Sequence, residues 1–223
     1  MKIFILKIKY SGLGDHLLCS HLPRIAKQFC DYDEVYVSNH SPYRNFQTKE
    51  LVWEMNPFVD GFCDEDRKWL QVGSVTKEMN ILDKVMLFHG LDDGIRFHEP
   101  EIYYKPKKIS KLGESVIFEP NHRNKYGIPS LKLVEKYFAE NIVKWTHQMK
   151  PLYGNSPIEG LPIIDANRLK SFCDVIHSCK AFFCFTSGAA TLSAGLGKPT
   201  TVLYVDGINP RFHHSKLHNY IRL

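Results

Sequence analysis

The 223-residue sequence has room for one large domain or two compact ones. Its hydrophobic content of 43% is sufficient for hydrophobic cores and excludes a disordered chain. No stretch of the sequence approaches the roughly 18 uninterrupted apolar residues of a membrane span. The net charge of +5 is spread along the chain and forms no basic block. This balance gives no indication of nucleic-acid binding, although it suits an anionic small molecule or an acidic membrane surface.

The chain begins with an apolar run that lysines interrupt. No small-residue cleavage site follows it, so we interpret residues 3–10 as a strand and not as a signal peptide. The six cysteines lack Cys-x-x-Cys spacing and indicate buried free thiols in a reducing cytoplasm. The late histidines His213, His214 and His218 have no carboxylate partner in a metal-binding pattern, so no metal is expected.

A glycine turn follows the first strand. Gly12 and Gly14 allow close approach of the backbone to a ligand, and apolar residues then recur at helical spacing as far as Phe29. A dinucleotide fingerprint is excluded because Leu17 stands where its third glycine belongs. Asp15 has two interpretations: it is a general base for an acceptor hydroxyl, or it only caps its helix.

The rest of the first half contains a second strand at 34–38 and a weaker candidate for a third at 84–88. The stretch 105–113 is basic, carries proline and glycine, and lacks periodicity, so it indicates a linker. We therefore predict an N-terminal domain at 1–108 and a C-terminal domain at 109–223.

The second half starts with a predicted strand at 115–118, a polar loop, and a helix whose apolar stripe runs from Leu131 to Trp145. Arg123 and Lys125 lie in that loop, beyond the carboxyl end of the strand. They can pair with phosphate oxygens, or the loop can simply be a polar surface segment.

Near the end, a helix over 169–176 precedes the apolar strand 181–185, a short helix that ends at Leu196, and a strand at 200–204. Alternating strands and helices predict parallel sheets, which bind ligands at the carboxyl ends of their strands.

The turn before the short helix lies at such a strand end. Ser187 and Gly188 open the helix, and Thr186 and Thr191 add hydroxyls, which suits a diphosphate. Alternatively, the small residues serve only to pack the helix closely on its sheet. A P-loop is excluded, because Leu192 replaces its first glycine.

Two motifs resemble those of heptosyltransferase-like glycosyltransferases, which belong to glycosyltransferase family 9. Residues 11–18 and the following Leu22-Pro23 are similar to the family's N-terminal glycine–aspartate turn and helix. Residues 186–199 are similar to its Asp-Ser/Thr-Gly-x-x-His-Leu-Ala-Ala-Ala-Leu-Gly-x-Pro signature, and 56–60 to an Asn-Pro-aromatic segment. Thr186 and Thr191 depart from it, since they replace its usual acid and histidine.

The resemblance implies the α/β GT-B fold, with two Rossmann-like domains of parallel sheet that face each other across a cleft. It implies a cytoplasmic enzyme, at most peripheral at the inner face of the membrane, that transfers a sugar from a nucleotide-sugar donor to a glycan or other hydroxyl acceptor with inversion. No cofactor or metal is implied. In the family the aspartate matched by Asp15 is the proposed base, and the second motif holds the donor phosphates. The alternatives are a non-catalytic binding or assembly protein and an epimerase-like enzyme.

Overall fold

A computed structural model describes residues 1–66, 78–122, 127–141, 144–152, 155–207 and 212–223. They form two compact units, the first made of Met1–Lys105 with His213–Ser215 and the second of Pro106–Phe212 with Lys216–Leu223. The division after Lys105 lies close to the predicted boundary, and the assignment of 213–215 to the first unit had no signal in the sequence. In the described ranges, no helix has the length and apolar content needed to cross a bilayer.

The first unit is built on a parallel sheet. Its described strands lie in the order β1, β2, β3 and span Ile3–Leu6, Glu34–Ser38 and Gly61–Cys63. The helices are α1 at Leu13–Leu17, α2 at Leu22–Phe29, α3 at Phe46–Lys49 and α4 at Ile81–Phe88, and a π-helical turn at Glu50–Glu54 follows α3. The helix predicted after Asp15 is thus divided into α1 and α2.

The strand predicted at 84–88 is wrong, because this stretch belongs to α4. A capping box fixes the start of that helix: the Asn80 side chain accepts from Asp83 N, and the Asp83 carboxylate accepts from Asn80 N, each at 3.0 Å. Asn80 Nδ2 also donates to His214 O at 2.7 Å and so anchors the late segment on this unit.

The second unit has a parallel sheet in the order β6, β5, β4, β7, β8, β9. These strands span Ile163–Ile164, His147–Met149, Val116–Glu119, Ala181–Phe185, Thr200–Tyr204 and Asn219–Arg222. Helices α5, α6 and α7 span Leu131–Glu140, Leu169–Ser178 and Gly188–Gly195. The mixed α/β fold with parallel sheets is confirmed in both units.

Aromatic packing supports the strands that matter most for the site. Phe118 on β4 is fully buried and contacts Phe185 on β7 edge-to-face, with ring centroids 5.2 Å apart. Trp145, predicted to extend the stripe of α5, lies beyond the end of that helix and stacks on Phe118 at 4.6 Å. These contacts fix where the carboxyl ends of β4 and β7 lie in the second unit.

The expected linker is partly attached to the second unit. Lys107 N donates to the Asp174 carboxylate at 2.8 Å, and Ile109 N donates to Ser178 Oγ at 2.7 Å. Both acceptors belong to α6, and a 3-10 turn at Ser110–Leu112 follows. Backbone groups of this segment are therefore satisfied by one unit and are not left entirely to solvent.

Candidate functional site

The turn between β1 and α1 places Asp15 in the first turn of α1. The N-cap of this helix is Gly12, with extended backbone angles of φ −73° and ψ 146°, and no side chain caps it. Asp15 therefore does not occupy the N-cap position that the simpler interpretation gave it. A carboxylate in a first turn still offsets the helix dipole, so its catalytic role stays a prediction.

Space explains why residue 12 is glycine. A Cβ at this position would lie 2.5 Å from Asp15 Oδ2, closer than real Cβ contacts allow. The φ of Gly12 is accessible to any residue, so the requirement is room for the carboxylate and not backbone conformation. Gly14 lies within α1, and the predicted part of both glycines in binding phosphate stays a prediction.

A buried histidine beside Asp15 organises the neighbouring loop. His16 is 0% exposed, and its Nδ1 accepts a hydrogen bond from Trp53 Nε1 at 2.9 Å. Its Nε2 must then carry the proton, which it donates to Pro42 O at 3.0 Å. Burial lowers the pKa of His16 to about 4, so this ring is neutral near pH 7.

The same loop brings a cation to the turn. The Tyr43 ring stacks on His16 at 4.7 Å, and Arg44 N donates to Ser11 O at 2.9 Å. The position of a Cβ on Gly12 would lie 3.7 Å from Arg44 Nη2. Sequence reasoning missed Arg44 and His16, because both roles depend on contacts between distant parts of the chain.

In the second unit, α7 begins just beyond the carboxyl end of β7. Ser187 is its N-cap, and Ser187 Oγ accepts from Ala189 N at 3.2 Å. The N–H groups of Ser187 and Gly188 precede the intrahelical bonds and have no partner within the helix. Thr186 Oγ1 is buried and has no hydrogen-bond partner in the described part of the chain.

The small residues of α7 also pack against the protein interior. Ala189, Ala190 and Ala194 are buried, so the packing interpretation holds for them. Thr191 is buried as well, at 5% exposure, which leaves little of its surface for a ligand. The polar groups that remain at the helix start are those of Thr186, Ser187 and Gly188.

A cavity of about 260 Å³ opens in the second unit, and one of its walls is Phe185, the last residue of β7 before Thr186. It lies between the loops that follow β4 and β5 and the beginning of α5. Its lining combines apolar side chains with neutral polar ones: Pro120, His122, Ile128, Pro129, Ser130, Leu131, Asn155, Ser156 and Phe185. Arg123 and Lys125, predicted to face phosphate from this loop, lie outside the described residues.

The loop at this cavity is held by a buried carboxyl group. Glu119, the last residue of β4, is 4% exposed and accepts from Asn121 N at 2.9 Å. Asn121 Nδ2 donates to Lys150 O at 3.0 Å, which joins the loops after β4 and β5. Burial raises the pKa of Glu119 to about 7, and Cys184 on β7 is the titratable residue opposite it in the sheet.

A raised carboxyl pKa makes the stability of the protein depend on pH. The folded state holds the Glu119 proton up to about pH 7 and the unfolded state releases it near 4.5, so the contribution of Glu119 to the free energy of unfolding should fall as pH rises between those values. Buried histidines such as His16, whose pKa is lowered to about 4, have the opposite pH dependence, so the prediction concerns the difference between two proteins. From pH 5 to pH 8 in urea denaturation, wild type should lose roughly 3 kcal/mol relative to Glu119→Gln, because the amide stays neutral. Glu114→Gln, at an exposed site paired with Lys180, should keep the wild-type slope. A wild-type slope in Glu119→Gln would contradict this assignment.

Comparison with solved structures identifies the fold. Heptosyltransferase II of E. coli, an ADP-heptose LPS heptosyltransferase, matches with a TM-score of 0.64 and 14% identity over 100% of this chain and 91% of its own. A family 9 glycosyl transferase from Veillonella parvula matches with a TM-score of 0.64 and 10% identity, over 100% and 85%. The chain has the GT-B fold. The resemblance to heptosyltransferase-like glycosyltransferases is confirmed at that level, whereas no family model and no curated protein matches.

A third structure corrects the expectation about metals. TibC from enterotoxigenic E. coli, described as an iron-containing dodecameric glycosyltransferase, matches with a TM-score of 0.69 and 12% identity over 98% of this chain. This chain spans 62% of the length of TibC. The expectation that neither cofactor nor metal accompanies this kind of protein is therefore wrong, because motif spacing along a sequence does not report ligands that a fold or assembly brings together.

A bound metal ion needs several side-chain ligands close together. Within the described ranges, no group of three or more His, Cys, Asp or Glu side chains is placed to hold one. The nearest arrangement, His98 between Asp83 and Asp93 at 2.7 and 3.1 Å, is an ion-pair network in which both ring nitrogens are already engaged. The described residues therefore do not fit a metal site.

Proposed function

We propose that this chain is a nucleotide-sugar-dependent glycosyltransferase that transfers a sugar to a glycan or other hydroxyl acceptor. The observation that carries the proposal is the start of α7, where the buried Thr186 hydroxyl has no partner among the described residues and directly follows Phe185, a wall residue of the cavity of about 260 Å³. A helix start attracts anions through its N–H groups and its dipole. The similarity of fold to heptosyltransferases adds support and does not by itself assign an activity.

The donor has two parts that fit different features of the second unit. Its diphosphate would bind at Thr186, Ser187 and Gly188, with Arg123 or Lys125 as countercharge. Its nucleoside would occupy the cavity, where Phe185 and Ile128 offer apolar surface and Ser130 and Asn155 offer hydrogen bonds. Because Ser187 Oγ already accepts from Ala189 N, the N–H groups of Ser187 and Gly188 are the better phosphate donors.

The chemistry assigned to the first unit is proton removal. The acceptor hydroxyl attacks the anomeric carbon of the sugar, and Asp15 takes the hydroxyl proton as the new C–O bond forms. The bond from the sugar to the diphosphate breaks with its electron pair, so the nucleoside diphosphate leaves as an anion. Attack opposite to the leaving group inverts the anomeric carbon. The start of α7 would stabilise the charge that grows on the leaving phosphate.

The substitution Thr186→Val should lower the affinity for nucleotide without lowering the free energy of unfolding. Valine keeps the shape of threonine and removes a buried hydroxyl that has no partner among the described residues, so the free energy of unfolding should stay equal or rise. The affinity for a nucleoside diphosphate should fall by about 5- to 10-fold, since one hydrogen bond worth about 1 kcal/mol is lost. Urea denaturation and calorimetric titration with ADP, GDP and UDP measure the two quantities.

The matched control is Thr200→Val, another threonine of the second unit. Its hydroxyl has a partner, Lys198 O at 3.1 Å, and it lies at the opposite end of the β8 strand from the proposed site. This variant should lose stability and keep its nucleotide affinity. Equal affinity in Thr186→Val and wild type would remove Thr186 from the proposed site.

A further inference from the structure

The side chains of Asp15 in α1 and Arg44 in the loop before α3 both approach Gly12. Asp15 Oδ2 and Arg44 Nη2 lie 2.5 and 3.7 Å from the point where a Cβ of residue 12 would stand. The separation of Asp15 Oδ2 and Arg44 Nη2 therefore cannot exceed the sum of these two distances. Opposite charges this close interact, and a cation beside a carboxylate favours its ionised form.

The backbone that carries Arg44 is fixed on both sides. Before it in the chain, Pro42 O accepts a hydrogen bond from His16 Nε2, and the Tyr43 ring stacks on the same histidine. After it, Asn45 caps α3 by accepting from Thr48 N at 3.0 Å. Arg44 N itself donates to Ser11 O at 2.9 Å, in the turn that holds Gly12. The backbone of Arg44 is thus held in place next to the proposed base, although its side chain is exposed.

This arrangement has a use in the proposed reaction. A carboxylate that removes a proton must be ionised and must direct one oxygen at the hydroxyl. A guanidinium has several donors in a fixed plane, so it can hold one carboxylate oxygen and leave the other for the acceptor. We infer that Arg44 is a positioning residue that orients the Asp15 carboxylate for proton removal, an inference that rests on the proposed role of Asp15.

The test compares kinetic constants of the full chain. Donor turnover is measured as nucleoside-diphosphate release from sugars activated with ADP, GDP or UDP, with water as the attacking hydroxyl. Arg44→Gln should lower kcat by up to about 100-fold, because a misplaced catalytic group loses that much, while the KM for the donor changes little. Arg44→Lys should recover part of kcat, since lysine restores the charge without the planar set of donors.

A double-mutant cycle identifies the residue through which Arg44 acts. If it acts through Asp15, Arg44→Gln should lower kcat no further in the Asp15→Asn background. Arg96→Gln is the matched control: Arg96 is another arginine of this unit with its own carboxylate partner, Asp92 at 2.8 Å, and its removal should leave kcat unchanged.

The outcomes separate the inference from the function on which it rests. If Arg44→Gln has the same kcat as wild type, the role of Arg44 is overturned and the proposed function is not. The same conclusion follows if the effects of Arg44→Gln and Asp15→Asn on the activation free energy are additive. A wild-type protein that releases no nucleotide from any of the three donor types would overturn the proposed function, and this inference with it. An unfolded Arg44→Gln protein is recognised by its circular dichroism, and Arg44→Lys then decides the question through its kcat.

Discussion

Asp15→Asn should reduce donor turnover by ~10² to 10⁴-fold and leave donor affinity nearly unchanged. Asparagine has the size of aspartate but does not accept a proton from the acceptor hydroxyl. The helix itself does not depend on residue 15 as its N-cap, because that position belongs to Gly12. The measurement is kcat for nucleoside-diphosphate release together with calorimetric binding of the same donor.

The control for this variant is Asp31→Asn. Asp31 is an exposed aspartate of the same unit with a φ of 54°, a conformation that asparagine tolerates as well as aspartate. It should keep wild-type turnover and stability. If the folded Asp15→Asn protein transfers sugar as fast as wild type, Asp15 is only a favourable charge in the first turn of α1.

Gly188→Val should abolish nucleotide binding in a protein that remains folded. Gly188 is the first residue of α7, and a branched side chain there would occupy the space that a phosphate needs to reach the helix N–H groups. A valine at this position costs the helix only about 0.5 kcal/mol relative to good helix formers, so the unfolding temperature should change little. Calorimetric titration with ADP, GDP and UDP measures the loss.

A graded series strengthens this prediction. Gly188→Ala adds one methyl group and should weaken binding less than valine does. Gly113→Ala, in the same unit, adds a methyl with only ordinary contact at 3.4 Å from Ser110 O and should bind like wild type. If Gly188→Val retains wild-type affinity, the phosphate is not held at the start of α7.

Sequence reasoning succeeded where local signals were strong. The strand at 181–185 is an unbroken apolar run, and the turn after it carries a serine N-cap and a glycine, so strand, turn and helix were all predictable. The same holds for the strand, glycine turn and helix at residues 3–17. Each of these features is specified by fewer than ten neighbouring residues.

Elsewhere the deciding interactions are not local. The stretch 84–88 is apolar enough for a strand, but the capping box of Asn80 and Asp83 starts a helix that includes it. Strands β3, β5 and β6 are short and exist through pairing with their neighbours. The role of His16 requires Trp53 and Pro42, which the fold alone brings together. No pattern around residue 44 indicates that its guanidinium approaches Asp15.

The start of α7 is the proposed binding site for the nucleotide. The most direct measurement is thermal unfolding of the full chain with ADP, GDP and UDP, with Gly188→Val in parallel. One of the three should stabilise the wild-type protein, by ~2.7 kcal/mol at 100 times its dissociation constant, and should leave Gly188→Val unaffected. If a nucleotide stabilises both proteins equally, or if none of the three stabilises wild type at millimolar concentration, no nucleotide binds at the start of α7.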